Sequence, residues 1–434
     1  MSFPRYRDYH LSGANWPREL PDAWEVRRFK NTFKLVTQKA NESDRQIALE
    51  NVESWTGRLI QTESEFANDG IAFLTGDLLL GKLRPYLAKV YLATSSGQAV
   101  GDFYVLRPSE SVLASFAQYY MLTREFISLL DSSTIGAKMP RVNWEFLREL
   151  WIPLPEISNQ ALICGFLDRE TAKIDSLIAE QERLIELLKE KRQAVISQAV
   201  TKGLNPDAPM KPSGVEWLGD VPEHWNTTRL VFLATKIGSG KTPLGGALVY
   251  ESSGVMFIRS QNVYDDGIRL DDVSFISDEI DSEMSATRVL SWDVLLNITG
   301  ASIGRCALVP KEFLAANVNQ HVCILRFGDS CVARWVHACL CSNAAKEQIR
   351  SLQTGSGREG LNFSQVGAIR VTMPPDKEIE SILNYLGKEM HRIDSALADM
   401  ENSRILLRER RSALISAAVT GQIDVRGFAE QSAA

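Results

Sequence analysis

The segment closest to a catalytic motif is the glycine-rich run IGSGKT at residues 237–242. A phosphate-binding loop of this type needs a glycine five positions before its second glycine, where this chain has Thr235. Pro243 follows where a helix should begin. Without the first glycine the backbone N–H groups would not close around phosphates, so the run does not indicate a nucleotide site.

Two motifs of DNA-modifying enzymes are also absent from the sequence. A restriction-type nuclease places an acidic residue two positions before a catalytic lysine to hold Mg²⁺, and no lysine of this chain has one there. The Asn205-Pro206-Asp207 segment lacks the second proline and the aromatic residue of an amino-methyltransferase motif. We therefore expect no catalytic residues and no cofactor.

Histidines and cysteines late in the chain are the remaining candidates, as metal ligands: His321, Cys323, Cys331, His337, Cys339 and Cys341. Their spacings do not match paired CxxC knuckles. Cys339 and Cys341 lie in an apolar helical run, where cysteine serves as a small hydrophobic residue. We expect no metal site.

Composition limits the class of protein. The chain has 434 residues, 44% of them hydrophobic, a formal net charge of −6 and six cysteines. This composition predicts several globular domains. The sequence shows no secretory signal, no disulfide framework and no apolar run of the ~18–20 residues that a membrane span needs. We therefore expect a reducing, cytoplasmic setting. The negative charge argues against a protein that coats nucleic acid, but it permits local basic patches.

The elements that must position any site are duplicated. Ser12, Gly13, Trp16, Pro21 and Trp24 recur at one constant offset as Ser213, Gly214, Trp217, Pro222 and Trp225. Residues 171–201 likewise align with residues 390–420, including the shared Ile-Asp-Ser and Ala-Val-Thr. Each half therefore consists of a variable segment followed by a repeated one.

The repeated segments are predicted helices. Apolar residues step by threes, fours and sevens through Leu167, Ile174, Leu177, Leu184, Leu188 and Val195, and through Ile382, Leu386, Ile393, Leu397, Met400, Leu407 and Leu414. Such stripes over about 40 residues are typical of a coiled-coil seam. We favour antiparallel pairing of the two helices over the alternative, in which each helix packs on its own globular domain.

The variable segments mix strand patterns with amphipathic helices, so the predicted fold class is α+β. Two pseudo-symmetric mixed domains would be joined by the two long helices. Asp77 and Asp293 lie at equivalent places before apolar strands. The predicted first domain spans 1–155 and the first long helix spans 156–204. A linker and the second domain follow at 205–374, then the second long helix at 375–425 and a tail at 426–434.

With these features in place, the chain resembles the specificity subunits of type I restriction–modification systems. The resemblance rests on SGxxWxxxxPxxW opening each half, GSGKTP at residues 238–243, GxxRxGLN at 355–362, and PLP or MPP before each long helix. It covers nearly the whole chain, although the first half shows no GSGKTP and has the shorter form GAKMPRVN at residues 136–143.

The resemblance implies a non-catalytic DNA-recognition subunit. Each variable segment would be a target-recognition domain that reads one half of an asymmetric bipartite sequence in double-stranded DNA. The paired helices would set the gap and hold two methyltransferase subunits, which restriction subunits would join. The alternatives are a self-contained DNA methyltransferase or nuclease with an unrecognised site, and a coiled-coil scaffold that never contacts DNA.

Base readout needs Arg, Lys, Asn or Gln near the groove, and phosphates need basic residues and backbone N–H groups. The predicted DNA contacts are Asn51, Lys82, Arg84, Tyr86, Lys138 and Arg141 in the first domain, and Arg259, Gln261, Asn262, Asn297, Thr299, Ser302, Arg305 and Arg358 in the second. Each could equally be a solvated surface residue. Asn143 and Asn362 could instead cap the segments that follow them. Basic residues on the helices, such as Lys189 and Arg408, could be the solvated side of a coiled coil, or face DNA or a partner.

Overall fold

The computed structural model describes residues 3–14, 16–40, 45–60, 70–134, 138–353 and 360–428. These residues form two compact units, one made of Met1–Glu182 with Glu401–Ala434 and the other of Arg183–Met400. Each unit therefore contains one variable segment and a part of both long helices.

The first unit is a mixed α/β structure. Its strands are β1 (Tyr9–Leu11), β2 (Glu19–Pro21), β3 (Glu25–Arg28), β4 (Phe33–Val36), β5 (Gln46–Ile47), β6 (Ile71–Phe73), β7 (Leu78–Gly81), β8 (Val90–Leu92), β9 (Gly97–Ala99), β10 (Phe103–Pro108) and β11 (Trp151–Leu154). Its helices are α1 (Phe29–Thr32), α2 (Ala114–Met121), α3 (Arg124–Ser132), α4 (Trp144–Leu147) and the first part of α5 (Ile157–Lys202).

The second unit repeats this arrangement. Its strands are β12 (Met210–Pro212), β13 (Asp220–Pro222), β14 (Asn226–Arg229), β15 (Ala234–Ser239), β16 (Val255–Ile258), β17 (Val263–Tyr264), β18 (Gly267–Ile268), β19 (Ser274–Ile276), β20 (Val294–Asn297), β21 (Cys306–Leu308), β22 (Ala316–Val318), β23 (Val322–Phe327) and β24 (Arg370–Met373). Its helices are α6 (Leu230–Leu233), α7 (Asp278–Glu283), α8 (Ser330–Leu340), α9 (Asn343–Gln353), α10 (Phe363–Ala368) and the first part of α11 (Asp376–Val419).

A four-stranded antiparallel sheet lies at the centre of each unit. Its strand order is β4-β10-β7-β8 in the first unit and β15-β23-β20-β21 in the second. The strand β7 is apolar throughout because both faces are covered: Leu78 and Leu80 pack into the cluster that contains the helices, and Leu79 packs into the cluster of a smaller sheet. Strand β20 alternates in the same way.

The smaller sheets differ between the units. Their orders are β5-β9-β6 and β19-β16-β22. Both contain one parallel pair, β5 with β9 and β16 with β22. In the first unit the third strand, β6, pairs with β9, the later strand of the parallel pair. In the second unit the third strand, β19, pairs with β16, the earlier strand of its pair.

An ion pair of a buried aspartate with a partly exposed arginine occupies the same point of the central sheet in both units. Asp77 and Asp293 are almost fully buried, and each binds one arginine through two hydrogen bonds of 2.7–2.8 Å, Arg107 from β10 and Arg326 from β23. Each carboxylate also accepts a backbone N–H three residues earlier. The predicted equivalence of the two aspartates is confirmed.

The two long helices pair antiparallel, as predicted, with 46 residues in α5 and 44 in α11. In the first unit Leu167 and Ile174 share a core with Leu414 and Ile415. In the second unit Val200 shares a core with residues of the first turns of α11, among them Ile379 and Ile382. The helices therefore bury their apolar faces against each other and against the globular part of each unit.

Part of the predicted seam is wrong. Leu177 and Leu184 are 45% and 41% exposed, whereas Ile174 and Ile185 are buried. Where two apolar residues are adjacent, spacing alone does not decide which of them faces the partner helix. The stripe follows the 3.6-residue period of a helix, which selects Ile185 over Leu184.

Candidate nucleic-acid interface

The predicted basic residues of the first unit lie on two paired loops. One loop follows β7 and the other precedes α4. Leu83 bridges Arg141, the backbone N–H of Arg84 donates to Pro140 O at 2.8 Å, and that of Val142 donates to Lys82 O at 2.8 Å. This pairing brings four predicted contacts together, Lys82, Arg84, Lys138 and Arg141.

Charge on these loops is only partly compensated. Asp102 lies 3.8 Å from Lys82 Nζ and 3.0 Å from an Arg141 guanidinium nitrogen. Arg84 and Lys138 are exposed, and Tyr86 is 47% exposed beside them in sequence. Arg84 has a left-handed backbone, with φ of 49°. The loops thus present an excess of positive charge and an aromatic ring, which suits phosphates and bases.

The second unit has the same pair of loops with different side chains. Thr299 bridges Gly360, and Leu361 N–H donates to Ile298 O at 2.8 Å, repeating the contacts of Leu83 and Val142. The position of Lys82 is therefore held by Ile298, and that of Arg141 by Gly360. Arg358 lies outside the described residues.

Arg305 is the most accessible predicted contact on the loop after β20. Its guanidinium lies 4.9 Å from the ring centroid of Tyr264, and that of Arg269 lies 5.3 Å from the same ring. Sequence reasoning missed Tyr264 and Arg269, since they lie on a separate hairpin, β17–β18. The stacked group presents two cations around one aromatic face.

Four further residues of the predicted set are engaged within the protein. Arg259 donates to the Asp272 carbonyl at 3.1 Å and Gln261 to the Asp272 carboxylate at 2.6 Å. Ser302 Oγ accepts a hydrogen bond from Asn297, and Thr299 Oγ1 lies 2.5 Å from His321 Nδ1. These side chains are half-buried except for Gln261, which is exposed, and direct contact with DNA stays a prediction for them.

The asparagines of the predicted set have positioning roles in this structure. Asn262 and Asn297 are 2% and 0% exposed. Asn262 accepts from Arg259 N, and Asn51 accepts from Ala48 N in the equivalent turn of the first unit. Asn297 Nδ2 donates to Ser260 O at 2.8 Å, which ties the loops together. Both amides are engaged within the protein, and direct contact of Asn262 and Asn297 with DNA stays a prediction.

Asn143 and Asn362 cap the helices that follow them, which was the alternative interpretation of these two residues. Asn143 Oδ1 accepts from Glu145 N at 2.9 Å at the start of α4, and Asn362 Oδ1 accepts from Gln365 N at 2.9 Å at the start of α10. Each cap satisfies an otherwise free helical N–H and fixes where the second loop of its unit ends.

The GSGKTP run is structural. A Cβ on Gly240 would lie 1.6 Å from the Val318 carbonyl oxygen, so the close approach of two chain segments requires glycine. Thr242 Oγ1 donates to Gln320 Oε1, and Gln320 Nε2 lies 2.9 Å from His321 Nε2. Because an amide nitrogen must be the donor there, His321 Nδ1 is left to donate to Thr299. The motif thus supports the loop after β20.

Comparison with known proteins gives a consistent result. No family model matches the chain. It is 25% identical over 323 residues to the type I restriction enzyme EcoBI specificity subunit of Escherichia coli, covering 72% of this chain and 66% of that subunit, just under two thirds of its length. It is 21% identical over 425 residues to the MjaVIII specificity subunit of Methanocaldococcus jannaschii, covering 94% and 95%. The chain is related to the type I specificity subunits.

Solved structures share the fold of this chain. A chain from a structural study of complex assembly and conformational transition in the type I R-M system has a TM-score of 0.71 at 15% identity, over 94% of this chain and 100% of that one. The HsdS subunit from Thermoanaerobacter tengcongensis has a TM-score of 0.50 at 16% identity, over 94% and 99%. Among the described residues, none of the helices has an apolar stretch that could cross a membrane.

Proposed function

We propose that this chain is the DNA-recognition subunit of a type I restriction–modification complex. It reads an asymmetric bipartite target in double-stranded DNA and holds two methyltransferase subunits, and restriction subunits join the assembly. It supplies recognition and assembly, and catalysis comes from its partners. The cytoplasm, where such DNA is found, is its proposed location.

The observation that carries the proposal is that both units have the same pair of loops, held by the same backbone hydrogen bonds, but with different side chains at equivalent positions. Lys82, Leu83 and Arg141 in the first unit stand where Ile298, Thr299 and Gly360 stand in the second. Direct readout depends on the donors, acceptors and apolar groups that a side chain presents to base edges. Two such surfaces would therefore read two different half-sites.

Charge supports a role for partners in binding. The chain has a formal net charge of −6. Because non-specific affinity grows with the number of phosphates neutralised, this chain alone would bind DNA weakly. Two similar units would accommodate two copies of one partner, which would supply further phosphate contacts.

The paired helices would set the gap between half-sites. Apolar residues and ion pairs between α5 and α11 order the pair, among them Arg411–Asp175 in the first unit and Arg192–Asp394 in the second. A rigid spacer would demand a fixed number of unread base pairs, since each base pair advances the duplex by about 3.4 Å along the helix axis.

Selection from randomised duplex DNA by the chain co-purified with its methyltransferase tests the proposal. We expect enrichment of two different short motifs at one fixed separation. Arg84→Ala and Arg305→Ala should each weaken binding about 10- to 100-fold, the cost of a lost base contact, and each should relax one motif only. Arg27→Ala and Lys211→Ala, in strands away from the loops, are the controls.

Three outcomes would contradict the proposal. A complex that binds every duplex equally would leave no recognition function. Transfer of a labelled methyl group to DNA by the purified chain alone, or DNA cleavage by it with Mg²⁺, would favour the self-contained enzyme. Binding that survives Arg84→Ala and Arg305→Ala unchanged would favour a scaffold that does not contact DNA.

A further inference from the structure

A cluster of soft ligands lies in the core of the second unit, beside a cavity that Arg305 and Tyr264 also line. Cys306 opens β21, His337 lies on α8, and Cys341 ends that helix one turn later. Their ligand atoms all lie within 4.8 Å of one another. The two sulfurs are 3.6 Å apart, and Cys341 Sγ lies 3.5 Å from His337 Nε2.

The two separations that involve Cys341 Sγ fit a tetrahedral zinc centre. Bond lengths of about 2.3 Å to sulfur and about 2.0–2.1 Å to nitrogen give ligand–ligand edges of about 3.8 Å and about 3.6 Å. Both measured edges fall within about 0.2 Å of these values. The geometry points to a Cys306–His337–Cys341 site for a soft divalent cation, Zn²⁺, with the fourth position taken by water.

The surroundings of the cluster suit a charged centre. A cavity of about 450 Å³ reaches His337 and Cys341 and gives solvent a path to the fourth position. Asp265 contacts two of the three residues of the cluster: its carboxylate accepts Cys306 N–H at 3.0 Å, and its carbonyl lies 3.7 Å from Cys341 Sγ. Lys346 Nζ lies 2.6 Å from the same carboxylate. Such outer partners orient the ligands of metal sites.

Two other buried cysteines of the same unit, Cys323 and Cys339, are not part of the cluster. Cys339 Sγ lies 3.8 Å from the Thr372 hydroxyl, and Cys323 Sγ lies 3.9 Å from the Ile324 carbonyl oxygen. Cys306 and Cys341 are the thiols whose sulfurs lie beside each other and near His337. Zinc binding would displace the protons of both thiols, two thiolates would balance the dication, and His337 would bind as the neutral imidazole.

Zinc titration of the full-length chain tests the site. The reduced chain, stripped by a chelator, should take up one Zn²⁺, and Co²⁺ in its place should give thiolate-to-cobalt charge transfer and tetrahedral d–d bands. Cys341→Ser and His337→Gln should weaken Zn²⁺ binding by more than the ~10–100-fold typical of outer-shell changes. Cys339→Ser, on the same helix and equally buried, should leave it unchanged.

The wild-type chain keeps the test decisive even if a variant fails to fold. Folded, reduced wild-type protein that takes up no Zn²⁺ and gives no cobalt bands would overturn the site. So would equal binding by the wild type, folded Cys341→Ser and folded His337→Gln. A Cys306–Cys341 disulfide in protein purified under reducing conditions would also overturn it.

Discussion

Arg411 Nε lies 2.8 Å from Asp175 Oδ1, in an ion pair whose side chains are only 13% and 14% exposed. The equivalent positions of the repeat form a second pair in the other unit, Arg192 with Asp394 at 2.7 Å. The helices exchange roles, because α5 supplies the acid in one pair and the base in the other. Antiparallel pairing of two copies of one helix produces this exchange.

The two pairs should differ in their contribution to stability. Arg411→Ala leaves a largely buried Asp175 that keeps Arg58 as an ion-pair partner, and should cost about 1–3 kcal/mol, as for a lost hydrogen bond to a buried group. Arg192 and Asp394 are 25% and 50% exposed, so Arg192→Ala should cost at most about 1 kcal/mol. Urea unfolding of both variants measures the difference. Equal losses would mean that burial of the first pair has no energetic consequence.

Two glycines of the GSGKTP run should respond differently to alanine. Gly240→Ala places a methyl group into the Val318 carbonyl and should cost about 1–3 kcal/mol or more, as overpacking does. A Cβ on Gly238 would meet nothing closer than 3.8 Å, so Gly238→Ala should change stability by no more than about 0.5 kcal/mol. Thermal unfolding compares them. A tolerated Gly240→Ala would contradict the close approach.

The aspartate at the centre of each sheet should be sensitive to truncation. Asp293→Ala removes the buried partner of Arg326 and the acceptor of Leu290 N–H, and should cost about 3 kcal/mol. Asp266→Ala is the control, because its pair with Arg269 is exposed and should contribute at most about 1 kcal/mol. Denaturation midpoints of the two variants, measured side by side, check the order.

The helices should act as the ruler of the proposed complex. Seven residues inserted after Glu182, with seven after Glu401, keep the apolar stripe in phase and lengthen the pair by about 10 Å, or about three base pairs. DNA selection should then return the same two motifs with a wider gap. An unchanged gap would show that the helices do not set it. Insertion into one helix alone should disrupt pairing and serves as the control.

Much of the architecture follows from the sequence because it rests on repetition and period. The duplicated residues around Trp24 and Trp225, and the long helical stripes, predicted two similar units and paired helices. Choosing Ile185 over Leu184 for the seam requires the partner helix in place. Spacing therefore predicted the elements better than it predicted their contacts.

The candidate site was less predictable, since it depends on which segments meet. Asn262 and Asn297 have the right chemistry for bases, yet both are buried and support the loops. The sequence does not reveal this, because an asparagine that caps a turn and one that binds DNA look the same in it. Cys306 was not grouped with His337 and Cys341 for a similar reason: a sheet brings it beside a helix that begins 24 residues later.

The third strand of the smaller sheet attaches to opposite members of its parallel pair in the two units. The central sheet and its buried aspartate do not depend on that choice, since both units keep them unchanged. The segments of the smaller sheet can therefore rearrange while the central sheet persists. A chimera that exchanges only the smaller sheets between the units should keep both central sheets folded.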